Sequence, residues 1–304
     1  MTLHSNKNIN FIFFGTSRFS VLVLEELKVQ GYIPALIVTV PDKPKGRKLL
    51  LTPPETKIWA MEQSVPYVQL HTLKNTSDSL DSPQSIIESF SKNRYDVGIV
   101  ASYGKIIPQN ILDVPIYGML NIHPSLLPKL RGASPLQGTI LSDEGVAGFT
   151  IMHLDALMDH GNIILQEKVS IQDWPPYESD LEEILARKGG MLLGKNINGW
   201  IFGTLQEKEQ DHAIATYTKK IEKTDGEINL VDLPEQNIRK IRAYHVWPGA
   251  YFFTEYNGKR IRVIVKKARI ENDKLVLERV VPEGKKEMNY VDFKNGEHLS
   301  PNNT

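Results

Sequence analysis

Asn121 and His123 stand two residues apart at the head of NIHPSLLPKLRGASPLQG, residues 121–138. On an extended strand, side chains at i and i+2 leave one face, which sets an amide beside an imidazole. The amide can donate a hydrogen bond to a developing oxyanion. The imidazole can donate as well, or move a proton near neutral pH. The run contains no carboxylate. Asp155 and Asp159 are the candidates, because both follow the strand-like FTIMHL and lie at or before the turn signal HGN. Each feature also has a purely structural reading: an Asn-x-His pair can be satisfied inside a fold, and Asp favours turns. His153 reads as a hydrogen-bonded histidine of its own strand and His160 as a solvated loop residue.

The three prolines and two glycines of residues 121–138 leave little room for a helix before Ala133. The segment is a shaped loop, and shaped loops on rigid scaffolds often carry function. The scaffold is legible on either side. NFIFFG, IPALIVTV, YDVGIVAS and YGMLNIH read as buried strands, with VAGFTIMHL and IILQEKVSI as two later ones. SRFSVLVLEELKVQG reads as a helix capped by Ser17 and stopped at Gly31. PDKPKGRKLLLTPPE reads as a loop, and SDLEEILARKGGMLLGKNINGWI as a helix interrupted or ended near Gly189 and Gly190. Strands separated by helices imply right-handed β-α-β units and a mostly parallel sheet. Ligands of such sheets bind beyond the carboxyl ends of the strands. Past residue 205 the texture changes: QEKEQDHAIATYTKKIEKTDGEI is polar and linker-like. AYFFTEYNG, KRIRVIVKKARI and KLVLERVV then suggest a small antiparallel barrel or sheet. The expected division is residues 1–205, a linker at 206–216 and a second domain at 217–304.

The chain has 304 residues with 36 Lys plus Arg and 36 Asp plus Glu, so it is not basic throughout, although local basic faces remain open to it. It has no cysteine, which excludes disulfides, thiol catalysis and thiolate metal sites and fits a reducing cytosol. The apolar part of MTLHSNKNINFIFFGTS is too short for a signal peptide, and no apolar run approaches the ~18 residues of a membrane span, so a cytoplasmic protein is expected. FGTSRFS holds a single glycine and is no dinucleotide cradle, while P-loop, HExxH and GxSxG motifs are all missing. No metal is expected.

NIHPSLLPKLRGASPLQ resembles the signature of the folate-dependent formyltransferases: an asparagine and a histidine, then Ser-Leu-Leu-Pro, then Arg-Gly-Ala. FIFFGTSRFS, VTVPDKPKGRKL, IVASYGKIIP and FTIMHLDALMDHGNI are similar to other segments of the family, in the same order. YTKKIEKTDGEINL, IRAYHVWPGAYF and PEGKKEM resemble the linker and carboxyl-terminal domain of its tRNA-directed members. The resemblance implies a Rossmann-like domain followed by an OB-like barrel. It implies 10-formyltetrahydrofolate as donor and the α-amine of methionyl initiator tRNA as acceptor. It carries the catalytic roles to Asn121, His123 and Asp159, and folate contact to Ser125, Leu126, Leu127 and Pro128. The arginine of the loop that enters the acceptor stem falls on Arg47. Near Asp159 the chain departs from the family pattern, with Leu157 for the usual glycine, His160 for threonine and Asn162 for an acidic residue.

Two basic runs suit a nucleic-acid partner: KPKGRK at 43–48 has four basic residues and KRIRVIVKKAR at 259–269 has six, with no acid in either. The same trio would also serve transfer to an amino sugar nucleotide or another small amine. A folate- or RNA-binding protein without activity is a third reading, against which the trio weighs. A monomer is expected.

Overall fold

The computed structural model describes residues 9–45, 49–73, 93–142, 144–256 and 258–297. Three apolar runs, FIFFG, VGIVA and MLNIH, are buried at every residue. Such runs suit a sheet covered on both faces. They form β1 (Phe11–Gly15), β6 (Val97–Ala101) and β7 (Met119–His123). Between β1 and β6 come α1 (Arg18–Val29), β2 (Leu36–Thr39), a hairpin of β3 (Lys43–Lys45) and β4 (Leu50–Thr52), α2 (Glu55–Glu62) and β5 (Tyr67–Gln69). The short α3 (Gln109–Leu112) precedes β7. After it follow β8 (Arg131–Gly132), α4 (Pro135–Leu141), β9 (Ala147–His153), β10 (Ile163–Val169) and α5 (Glu178–Ile201). The remainder comprises β11 (Tyr217–Thr218), α6 (Pro234–Ala243), β12 (Ala250–Tyr256), β13 (Lys259–Glu271), β14 (Lys274–Pro282), β15 (Met288–Asn289) and α7 (Tyr290–Glu297).

The main sheet has the order β10-β9-β7-β6-β1-β2-β5. β5, β2, β1, β6 and β7 are mutually parallel; at one edge β9 runs antiparallel to β7, and β10 antiparallel to β9. The chain moves outward from β1 through β2 to β5, then returns to the other side of β1 at β6. That reversal is a topological switch point, where such sheets open a crevice at their carboxyl ends. Gly15 and Ala101, the last residues of β1 and β6, are register partners there. Across the crevice Ser17 Oγ donates to Ser102 Oγ at 2.8 Å, and Thr16 Oγ1 to the Tyr103 carbonyl at 3.2 Å.

Two expectations change. The proline- and lysine-rich loop contains the β3–β4 hairpin, in which Lys43 pairs with Thr52 and Lys45 with Leu50. The helix expected to stop near Gly189 and Gly190 runs unbroken for 24 residues. A Cβ on Gly189 would stand 2.7 Å from Ile122 Cγ2 of β7, and one on Gly190 would stand 2.9 Å from Glu26 Cβ of α1. These glycines permit close approach, at a helix cost of about 1 kcal/mol each.

By the distribution of its contacts the chain divides into two compact units, Met1–Gly132 with Ala147–Val169 and Glu182–Tyr217, and Ala133–Val146 with Ser170–Leu181 and Thr218–Thr304. The first holds the seven-stranded sheet. The second holds the expected small β structure as a four-stranded antiparallel sheet in the order β12-β13-β14-β15. Ile238 and Ile241 of α6 join Phe252, Val263, Val265 and Val280 in its core. Among the described residues no helix is long and apolar enough to cross a membrane.

Candidate active site

Strand alternation sorts the residues of β7. Ile122 faces α5 through Gly189, so Asn121 and His123 leave the opposite face. Both are buried, with relative exposures of 8 % and 5 %. Among the described residues the Asn121 amide has no hydrogen-bond partner, yet its polar atoms are not sealed from solvent. A buried amide normally finds a partner inside the protein.

His123 is hydrogen-bonded at one nitrogen and faces a carboxylate at the other. Nε2 lies 3.0 Å from the Leu130 carbonyl oxygen, which can only accept, so Nε2 carries the hydrogen. Nδ1 faces Asp159 Oδ1 at 3.6 Å. Asp159 Oδ2 accepts from the Gly132 backbone N–H at 2.7 Å. The aspartate sits at φ 51°, in the left-handed region that is uncommon outside glycine and that Asp tolerates better than most residues. β9 runs antiparallel to β7, so the loop carrying Asp159 leaves beside Met119, the first residue of β7, through a Leu154 N–H to Met119 carbonyl bond. It turns back to reach His123, the last.

The other candidate carboxylate is spent locally. Asp155 Oδ1 accepts the Leu157 N–H at 2.9 Å, and Oδ2 lies 2.6 Å from His160 Nδ1. His160 is not simply solvated: its ring stacks on His212 at 4.1 Å with 2° between the planes. His153 is hydrogen-bonded to Glu207 at 3.0 Å and packs edge-on against Trp200.

The Ser-Leu-Leu-Pro turn is fixed by its neighbours in the sheet. Ser125 Oγ donates to the Lys129 carbonyl at 2.7 Å, closing the loop on itself. Thr150 Oγ1 of β9 donates to the Ser125 carbonyl at 2.7 Å and accepts the Leu127 N–H at 3.1 Å. Gln166 Nε2 of β10 donates to the Leu127 carbonyl at 2.9 Å. Ser125 and Leu127 are buried, while Leu126 and Pro128 keep part of their surface exposed. Thr150 and Gln166 carry no sequence signal, since each is an ordinary polar residue inside a strand.

Arg47 lies outside the described residues. Asp42, just before β3, is anchored: it takes Lys57 Nζ on both oxygens at 2.9 Å and Gln69 Nε2 at 2.7 Å. The hydrogen bonds from Lys57, then Gln69, hold the Asp42 carboxyl below its ordinary range. Within the second unit, Arg260 lies over the Phe253 ring at 4.4 Å and Arg262 over Tyr251 at 5.3 Å. Lys267 and Arg269 instead pair with Glu278, at 3.2 and 2.7 Å. Among the described residues no group of three or more His, Asp or Glu side chains is placed to hold a metal ion.

Residues 7–193 match the model of the formyl transferase family, and residues 220–275 that of the formyl transferase carboxyl-terminal domain. A methionyl-tRNA formyltransferase of Chloroflexus aurantiacus is 40 % identical over 259 residues, 84 % of this chain and 79 % of that protein. One of Bacillus subtilis is 32 % identical over 311 residues, 95 % of each. Among solved structures, an N-formyltransferase of Helicobacter canadensis in complex with folinic acid and dTDP-3-aminofucose superposes with a TM-score of 0.61 at 18 % identity, over 87 % of this chain and 88 % of that one.

Proposed function

The chain belongs to the formyl transferase family, and from that premise we propose that it moves the formyl group of 10-formyltetrahydrofolate onto the α-amine of methionyl initiator tRNA. One observation carries the site: among the described residues the Asn121 amide has no hydrogen-bond partner on the strand face it shares with His123, whose Nδ1 faces Asp159. The acceptor amine attacks the formyl carbon, and the carbonyl electron pair moves to oxygen. The Asn121 amide N–H donates to that oxygen, and one such donor is worth about 3 kcal/mol in the barrier. The carbon–nitrogen bond to the donor then breaks, returning the electron pair to the donor nitrogen, which takes up a proton. The attacking amine gives up a proton, for which His123 and Asp159 are the acceptors. Their 3.6 Å separation exceeds a hydrogen bond, and such contacts commonly tighten only with substrate in place. The Asn121 amide supplies the charge stabilisation of the oxyanion, and the His123–Asp159 pair handles the proton.

For the donor, Leu126 and Pro128 offer the contact surface of the Ser-Leu-Leu-Pro turn, and Ser125 and Leu127 give it its shape. For the acceptor, Arg47 engages the tRNA end, and Arg260 and Arg262 contact phosphate. Formyl transfer falls to the span 1–205 and tRNA binding to 217–304, in a monomer working in the cytoplasm. The amino sugar reading draws support from the dTDP-3-aminofucose of the Helicobacter structure, which shares the fold. The carboxyl-terminal domain match and the relatives' names favour tRNA. Formyl transfer from 10-formyltetrahydrofolate is measured with charged initiator tRNA and, in parallel, with an amino sugar nucleotide. Turnover confined to the sugar would overturn the tRNA assignment.

A further inference from the structure

Residues 208–217 read as a polar linker, yet they are bound into the first unit beside Asp159. Lys208 and Ile163 exchange backbone hydrogen bonds at 2.8 Å each way. Two residues on, Gln210 is 4 % exposed and uses both ends of its amide. Nε2 donates to the Asp159 carbonyl at 3.0 Å and to the Gly161 carbonyl at 2.7 Å. Oε1 accepts from Arg131 at 3.2 Å from Nε and 2.6 Å from Nη2. Carbonyls only accept and guanidinium only donates, so the orientation of this amide is dictated by its partners. Arg131 is 1 % exposed and also donates to His212 Nδ1 at 2.8 Å and to Tyr217 Oη at 3.2 Å. It precedes Gly132, whose N–H holds the Asp159 carboxylate.

We infer that Gln210 is a positioning residue for Asp159: it ties the left-handed backbone of the catalytic loop to the buried Arg131 guanidinium and so aims the carboxylate at His123. A contact of 3.6 Å between Oδ1 and Nδ1 tolerates little drift, and a misplacement near 1 Å costs on the order of a hundredfold in rate. Gly161 itself packs closely on β9, where a Cβ would fall 1.8 Å from the His153 carbonyl oxygen. The inference rests on the formyl-transfer reading for its kinetic consequence but not for the contact itself.

The decisive variant is Gln210→Glu. It keeps the size and the partnership with Arg131, but sets an acceptor against the two loop carbonyls. Gln210→Ala, which leaves room for water beside Arg131, is the second variant should the first fail to fold. Thermal melting, steady-state kinetics with 10-formyltetrahydrofolate and charged initiator tRNA, and hydrogen exchange of residues 155–162 are read together. The expected result is roughly a ten- to hundredfold fall in kcat, KM values within about twofold and faster exchange in the loop. In an Asp159→Asn background the same change has little further effect, because both act on one element. Unchanged kcat and exchange in a folded variant, or a loss that multiplies with that of Asp159→Asn, would overturn the inference. A wild-type protein inactive on charged tRNA whose loop is nonetheless loosened by Gln210→Glu removes the tRNA reading and leaves the positioning role standing.

Discussion

An amide on β7 without a partner decides the first expected outcome. Asn121→Ala removes the proposed oxyanion donor and no hydrogen bond among the described residues, so turnover falls roughly a hundredfold or more while thermal melting changes by little. A normal melting curve with full activity would take Asn121 out of the mechanism. The two aspartates separate in the same way. Asp159→Asn withdraws the charge facing His123 and costs far more activity than Asp155→Asn, which disturbs a turn and a pairing with His160. Side-by-side kinetics of the two variants check this, and inactivation by Asp155→Asn alone would reverse the assignment. Arg47→Ala raises KM for charged tRNA and leaves folate binding unchanged, and lysine restores it in part because it lacks the planar fork. Folate titration beside tRNA kinetics reads both halves of that statement.

Apolar continuity made the elements legible, and close packing decided the rest. FIFFG and VGIVA are strands because a buried parallel sheet demands near-continuous apolar runs, and in MLNIH the Asn-x-His spacing by itself puts two polar side chains on one face. Gly189 and Gly190 misled, since a glycine that admits a neighbour and a glycine that ends a helix look alike in one dimension. Gln210 was hidden for a related reason: a polar residue among polar residues gives no sign that its partners lie 51 and 79 positions away in sequence. Gly189→Ala tests the packing argument. Helix propensity favours alanine by about 1 kcal/mol. Overpacking against Ile122 costs about 1–3 kcal/mol. The expected outcome is a lowered melting temperature, and a raised one would show that Ile122 yields freely.

The whole chain is two compact units that do not coincide with two halves of the sequence. The second gathers Ala133–Val146 and Ser170–Leu181 from within the span of the first. Inside it α4 packs against α6, although the sequence suggested a domain starting near residue 217. A fragment of residues 1–216 keeps α4 and loses its cover, so it should melt below the full chain and bind a dye that reports exposed apolar surface. A fragment that melts like the parent and binds no dye would show that α4 finds support elsewhere. The same discontinuity sets a timetable on the ribosome. Synthesis advances at about 5–20 residues per second, so α4, with Ile140 at its buried side, emerges several seconds before Ile238 and Ile241 of α6 exist. During that interval the growing chain carries an uncovered apolar face, and its yield in a cell depends on what shields that face until the last third has been made.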